Sequence, residues 1–579
     1  MINWLILNNM KKIRLFLFAI VAVMPLMAMA GKAKVLKIDF KNPIVERTSG
    51  GSSFDIMSIV NGSPSSVTLL SYVRAIDAAA QDKNIGMIYM TPDNISAGTA
   101  QLEELRAALE RFKQAGKPIV AYCQNFGNSS YYLASVADKI ILDPASESTL
   151  TGVSTQMIFL KDLFDALGVD VQLIRHGKFK AAGEMYTRSS ASPENRLQNQ
   201  ELVNSIWNTM SSQIAASRGC TQEQFNEWVE NLEMCHAQDF KDKGLIDETW
   251  YKDEVEQYLC EQNGVKKIQE VSFVKINSYA SKVKKGGRKN RIAVVYADGE
   301  IVNSGKDADI VGTKMANTLR KVREDKKVKA VVFRVNSPGG SAQAAEAIRH
   351  ELQLLRAEKP VIVSFGDYAA SGGYWISAES DYIFSDYNTL TGSIGVFGMI
   401  PSVGNAVSKN LKVNIETVGT SSHSDMANGI RKLDDDEVAY IQKQIEKIYD
   451  DFTGLVANGR GMSKDSVDAI GQGRVWSGAD AMKIGLVDCQ GGLQDAIDYA
   501  AQKVGLEKKD YRINQYPVVQ QVSLMQMLMG GGMDDPEETL TTSVEPQPSL
   551  SDMFPALARM RELRTPTMML RMESVMEIK

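Results

Sequence analysis

Blocks of this 579-residue chain recur at an offset of about 240 residues. DKNIGMIYM from Asp82 is matched by DKKVKAVVF from Asp325, and AGKPIVAY ending at Tyr122 by AEKPVIVS ending at Ser364. YYLASVADKIILD from Tyr131 is matched by YWISAESDYIFSD from Tyr374, and KGLID from Lys243 by IGLVD from Ile484. TLTG stands at both Thr149 and Thr389. A repeat this long means two copies of one domain, not a solenoid of short units. Within the first copy, strand-like VLKIDF is followed by helix-like 69–80, strand-like 85–90, helix-like 99–115 and strand-like 118–122. Strands alternating with helices of that length need right-handed crossovers, so the expected class is α/β with a largely parallel sheet and flanking helices in each copy. Helical patterning then dominates from about Asn195 to Gln262. The first domain is placed at 34–280, a basic Gly-containing linker at 281–290 and the second domain at 291–512.

The two ends read differently. Lys11, Lys12 and Arg14 precede an apolar run closed by Ala28-Met29-Ala30. This is the pattern of a secretory signal or N-terminal membrane anchor over residues 1–30. Cleaved or retained, it places the body beyond the cytoplasmic membrane, because the basic flank stays inside. Residues 513–579 form a C-terminal extension, polar and Pro-containing at first, then Met-rich. Its end is expected to dock on the chain's own domain, on another subunit or on a membrane. A net charge of −5 gives no basic field for nucleic acid. Five cysteines make an odd number with no metal-ligand spacing, leaving at most a Cys220–Cys235 or Cys235–Cys260 bridge in an oxidising compartment.

The chemistry lies where the copies differ. The second copy holds Ser371 in an Ala-Ala-Ser-Gly-Gly turn. The first has Asn128 opposite it, or Ser129 if the gap is moved, and no Gly-Gly. Aligning Gly177 with Gly419 sets Lys180 opposite Ser422. One copy therefore has the serine turn and the other the lysine, and a composite Ser371–Lys180 site is the simplest account. A lysine of ordinary pKa, about 10.4, is protonated at neutral pH. Burial disfavours the charged form, and a neutral amine in reach of Ser371 Oγ can take its proton and return it to a leaving amine. Gly339 and Gly340, in NSPGGS between a strand and a helix, can aim backbone N–H groups at an oxyanion, and Gly372 is a further donor. The first copy has TPDNISAGT there, without the Gly pair. Lys178 is the rival base. His176 is read as a rim residue, His350 as structural, and Tyr374 and Trp375 as wall or core.

NSPGGS, ASGGYWIS, TLTGSIGVFG and GRVWSGADAMKIGLVD resemble the signal peptide peptidase A family, the S49 serine peptidases, in its long tandem form. The resemblance implies crotonase/Clp-protease-like domains and a homotetramer at the inner membrane with its body on the periplasmic side. It also implies remnant signal peptides as substrates, Ser371 as nucleophile, Lys180 as general base and Ser393 as the group orienting the lysine. No metal or cofactor is implied. The competing readings are a non-catalytic scaffold of the same fold and a crotonase-like acyl-transfer enzyme.

Overall fold

The computed structural model describes residues 33–47, 68–93, 95–283, 286, 287, 289–305, 309–518 and 569–571. The 1–30 signal or anchor segment lies outside them, as does most of the 513–579 extension. Among the described residues no helix is long and apolar enough to cross a membrane.

Each copy builds a sheet on six parallel strands in the same order, and the second copy's sheet adds Leu390–Gly392, parallel to Val361–Ala370, and Val475–Ser477, antiparallel to Leu390–Gly392. In the first copy the shared order runs Glu248–Thr249, Lys139–Leu142, Ile119–Cys123, Ile85–Met90, Lys34–Ile38, Phe273–Lys275. In the second it runs Cys489–Gln490, Tyr382–Ser385, Val361–Ala370, Val328–Ser337, Asn290–Asp298, Tyr511–Tyr516. The last strand carries the second sheet to Tyr516, past the 512 boundary drawn from sequence. The helices follow from the apolar spacing. Leu69–Gln81 starts at a Thr68 cap and buries Leu69, Tyr72, Val73 and Ile76, one face of a 3.6-residue period. Thr99–Gln114 buries Leu102, Leu105, Leu109 and Phe112 in the same way.

The duplication extends to individual hydrogen bonds. Lys117 Nζ donates to the carbonyls of Ala79 and Asp82 at the end of one helix, and Lys359 Nζ to those of Val322 and Asp325 at the end of its counterpart. Cations are favourable at that end of a helix. The buried hydroxyl of Tyr131 donates to Leu245 O at 2.6 Å, and that of Tyr374 to Leu486 O at 2.8 Å.

A third sheet crosses between the copies. Its order is Ile310–Val311, Ile301–Val302, Gly339–Ser341, Met569–Arg571, Val396–Ser402, Asp170–His176. The first-copy strand Asp170–His176 pairs antiparallel with Val396–Ser402 of the second along its whole length. That pairing delivers the residues after His176 into the other copy. The joint is also polar. Arg334, fully buried, donates Nε and Nη2 to the Glu46 carboxylate at 2.9 Å each and lies 2.7 Å from Glu104 Oε1. Asp367 accepts the Ala100 N–H at 2.9 Å, and Glu103 accepts those of Tyr387 and Asn388. All five cysteines are free, so neither bridge considered from sequence forms.

Candidate active site

Ser371 ends the strand Val361–Ala370 and caps a single helical turn, Gly372–Trp375. Its backbone sits at φ 56° and ψ −113°, a conformation costly for a residue with a Cβ. The surroundings enforce it: Ser371 N–H donates to Gly392 O at 2.8 Å, and Ser371 O accepts from Trp375 N at 2.8 Å. A Cβ on Gly373 would stand 2.7 Å from Ser337 O, so only glycine lets this turn pack against the NSPGGS segment. Ser393 is the second non-glycine residue of the site with positive φ, 50°. Its N–H is held by Arg474 O at 2.7 Å.

Lys180 reaches this turn from the other copy. Its Nζ lies 2.8 Å from Ser371 Oγ, 3.0 Å from Ser393 Oγ and 3.3 Å from Ser393 O. The three residues are 1%, 0% and 2% exposed, for Lys180, Ser371 and Ser393 respectively, so the contact is shielded from water. Three devices fix the lysine backbone. Arg175 donates to Lys180 O and pairs with Glu184, whose carboxylate also accepts from Ser192 N and Asn195 Nδ2. Burial pushes the Glu184 carboxyl up, but those hydrogen bonds and the Arg175 charge outweigh it and hold it below the usual range. Phe179 N–H donates to Gln472 O at 2.9 Å. Gly473 (φ 77°) leaves no space for a Cβ, which would meet Lys180 Cβ at 2.5 Å. Sequence reasoning gave Arg175, Glu184 and Gly473 no part in holding Lys180, although Gly473 opens the quoted GRVWSG motif.

Gly339 and Gly340 form a short strand packed against the serine turn. Gly339 N–H is 3.2 Å from Ser337 Oγ. Gly372 occupies the first position of the helical turn, where an N–H has no intrahelical acceptor. In the first copy Asn128 opens the equivalent helix, and its Nδ2 donates to Gly152 O at 2.9 Å. That carbonyl is the counterpart of Gly392 O, so a structural hydrogen bond replaces the serine turn. Lys178 is exposed. His176 points to Glu446, with Nδ1 2.7 Å from Oε2, and stacks on Tyr449 at 3.7 Å. His350 is exposed on the helix Ala342–Arg356, while Tyr374 is core. Beside the Ser371–Lys180 contact lies a cavity of about 210 Å³ lined by Lys180, Ser393, Met157, Phe159, Met185 and Val475, among others.

The profile of Peptidase family S49 matches residues 111–266 and 353–507, one segment in each copy. The chain belongs to peptidase family S49. A Protease 4 from Haemophilus influenzae is 33% identical over 486 residues, covering 80% of this chain and 78% of its own. One from Salmonella typhi is 36% identical over 455 residues, covering 76% and 73%. A chloroplastic serine protease SPPA from Arabidopsis thaliana is 34% identical over 440 residues, covering 74% and 64%. Within the S49 chain both matched segments lie on the duplicated α/β units, whereas the Gly339–Gly340 strand lies between them.

Proposed function

We propose that this S49 peptidase cleaves short apolar peptides, such as signal peptides already released from their proteins, with a Ser371–Lys180 dyad. The observation that carries the reading is the 2.8 Å approach of Lys180 Nζ to Ser371 Oγ across the two copies, in a dry site. The neutral amine takes the Ser371 proton as Oγ attacks the scissile carbonyl, and then gives it to the leaving amine. Ser393 Oγ holds the amine in line. N–H groups of Gly339, Gly340 and Gly372 receive the oxyanion, Gly339 exchanging its Ser337 contact for the substrate. Water then releases the acyl group by the same route in reverse. A fluorophosphonate probe should label Ser371 in the wild type and fail to label Ser371→Ala. A folded wild type that takes no label would favour the scaffold reading.

The C-terminal strand supports a peptide-binding cleft. Met569–Arg571 pairs antiparallel with Gly339–Ser341 on one side, meets Phe397 on the other and packs against the Gly372–Trp375 turn. An extended substrate would use the same main-chain partners by strand addition. Deleting residues 568–579 should therefore lower KM for a peptide substrate about three- to tenfold, because the cleft no longer has an internal occupant. An unchanged KM would mean that tail and substrate do not share the cleft.

Self-association and an extracytoplasmic, membrane-associated location belong to the same proposal. Residues 412–418 correspond by repeat to the docked strand Asp170–His176, yet Val413, Ile415 and Val418 are 50%, 48% and 95% exposed. An unpaired apolar arm of this kind suits a second copy of the chain.

A further inference from the structure

The C-terminal strand brings a charged side chain into the cleft, and a carboxylate meets it there. Arg571 stands opposite Gly339 in the antiparallel pairing and also lines the cavity that holds Lys180 and Ser393. The position it fills is therefore beside the dyad. Its Nη1 donates to Glu300 Oε1 at 2.9 Å, and the two side chains are 13% and 24% exposed. Glu300 directly precedes Ile301–Val302, the strand on the far side of Gly339–Ser341. Neighbouring strands lie about 4.8 Å apart, so Arg571 has to reach across an intervening strand to meet the carboxylate. Gly339 and Gly340 of that strand have no side chains to obstruct it. A long side chain with a cationic end spans this gap.

Main-chain pairing along a strand accepts any sequence, so specificity has to come from the side chains that the cleft receives. The cavity lining includes Met157, Phe159, Met185 and Val475 and no carboxylate, and it suits an apolar neighbour. Glu300 supplies the acidic counterpart at the position Arg571 fills. Hydrogen bonds between charged groups are roughly twice as strong as neutral ones, and a neutral side chain there would forgo that bond. We infer that Glu300 is a specificity-determining residue that selects a basic residue in the substrate at the position now held by Arg571. The inference rests on the peptidase reading above, in which substrate and tail share the cleft. The favoured substrate is then a peptide in which a basic residue adjoins an apolar run, the composition at the basic end of a secretory signal. The tail has the same make-up in Met568-Met569-Leu570-Arg571.

The test measures binding by fluorescence anisotropy, with the full-length protein carrying Ser371→Ala so that no peptide is consumed. The probes are a labelled peptide of residues 566–575 and the same peptide with Arg571→Met. The native peptide should bind about ten- to a hundredfold more tightly, the worth of a hydrogen bond to a charged group. The tail competes equally with both peptides, so the ratio of their affinities is independent of its occupancy. Adding Glu300→Gln should bring that ratio close to one. Binding of the Arg571→Met peptide should then be no weaker than before, since the tail is released as well. Glu300→Lys should reverse the preference, toward a peptide with Arg571→Glu. Equal binding of the first two peptides by the Ser371→Ala protein, or binding of neither, would overturn the inference. So would a preference that survives Glu300→Gln, because the chain's overall charge of −5 would then be its source. Loss of both peptides in Glu300→Gln would make Glu300 structural and overturn it too. Fluorophosphonate labelling of the wild type judges the peptidase reading separately. No label beside an intact arginine preference would reject that reading and leave Glu300 as a binding residue of the cleft.

Discussion

Lys180→Ala and Lys180→Met should both fold like the parent and lose on the order of 10⁴-fold or more in kcat/KM, the loss expected when one member of a concerted acid–base pair is removed. Methionine keeps an unbranched apolar stem of similar reach in the buried slot, so the second variant separates loss of the amine from loss of packing. Without the amine, Ser371 Oγ keeps its proton, and neither rival base among the described residues replaces it: His176 is held by Glu446, and Lys178 is exposed. Ser371→Ala should match this loss, and the double variant should be no worse than either single one, because the two groups act in one step. The measurement is steady-state cleavage of a fluorogenic apolar peptide, beside a urea midpoint for each variant. Activity near that of wild type in Lys180→Met would sink the dyad.

Much of this arrangement could be read in the residues. The repeat gave two α/β units, and the different positions of serine and lysine pointed to a shared site. What stayed hidden depends on contacts between distant segments. Asp170–His176 reads as one more strand, and nothing local says that it pairs with Val396–Ser402 of the other copy. The Met-rich C-terminus suggested a docking segment but not a strand beside Gly339–Ser341, since main-chain hydrogen bonds leave little trace in side-chain pattern. Glu103 and Glu104 look like the solvated face of the helix Thr99–Gln114, yet they are 6% and 5% exposed because the second copy covers them. Glu46 sits just before a Ser/Gly-rich loop, where a free carboxylate would be the default expectation, and it is a partner of Arg334 instead.

That joint carries the second large effect. Arg334→Met should destabilise the protein by about 3–5 kcal/mol, because it leaves the Glu46 and Glu104 carboxylates buried without their cation. Adding Glu46→Gln and Glu104→Gln should recover part of the loss, which simple cavity formation would not allow. The same cluster sets a pH dependence. Burial pushes the Asp367 carboxyl up to about 7, with the Glu46 charge adding to the effect, whereas an unfolded aspartate titrates near its ordinary value of 3.8. Burial raises Glu103 as well, with the Asp367 and Glu104 charges adding to it and the Asn388 and Tyr387 N–H groups opposing it. Between those two Asp367 values the folded state holds a proton that the unfolded state has released. Stability therefore falls as pH rises through that window, by at most about 1.4 kcal/mol per pH unit for one carboxyl, and the penalty stands in full above pH 7. Asp367→Asn keeps an oxygen for the Ala100 N–H but has no charge to bury. Its urea midpoint should change less than that of wild type between about pH 4 and 7 and exceed it at pH 8. If wild type and Asp367→Asn show parallel profiles, the proton is not held at Asp367. If Arg334→Met unfolds at the wild-type midpoint, the two copies are joined chiefly by the strand pairing of Asp170–His176 and not by this buried cluster.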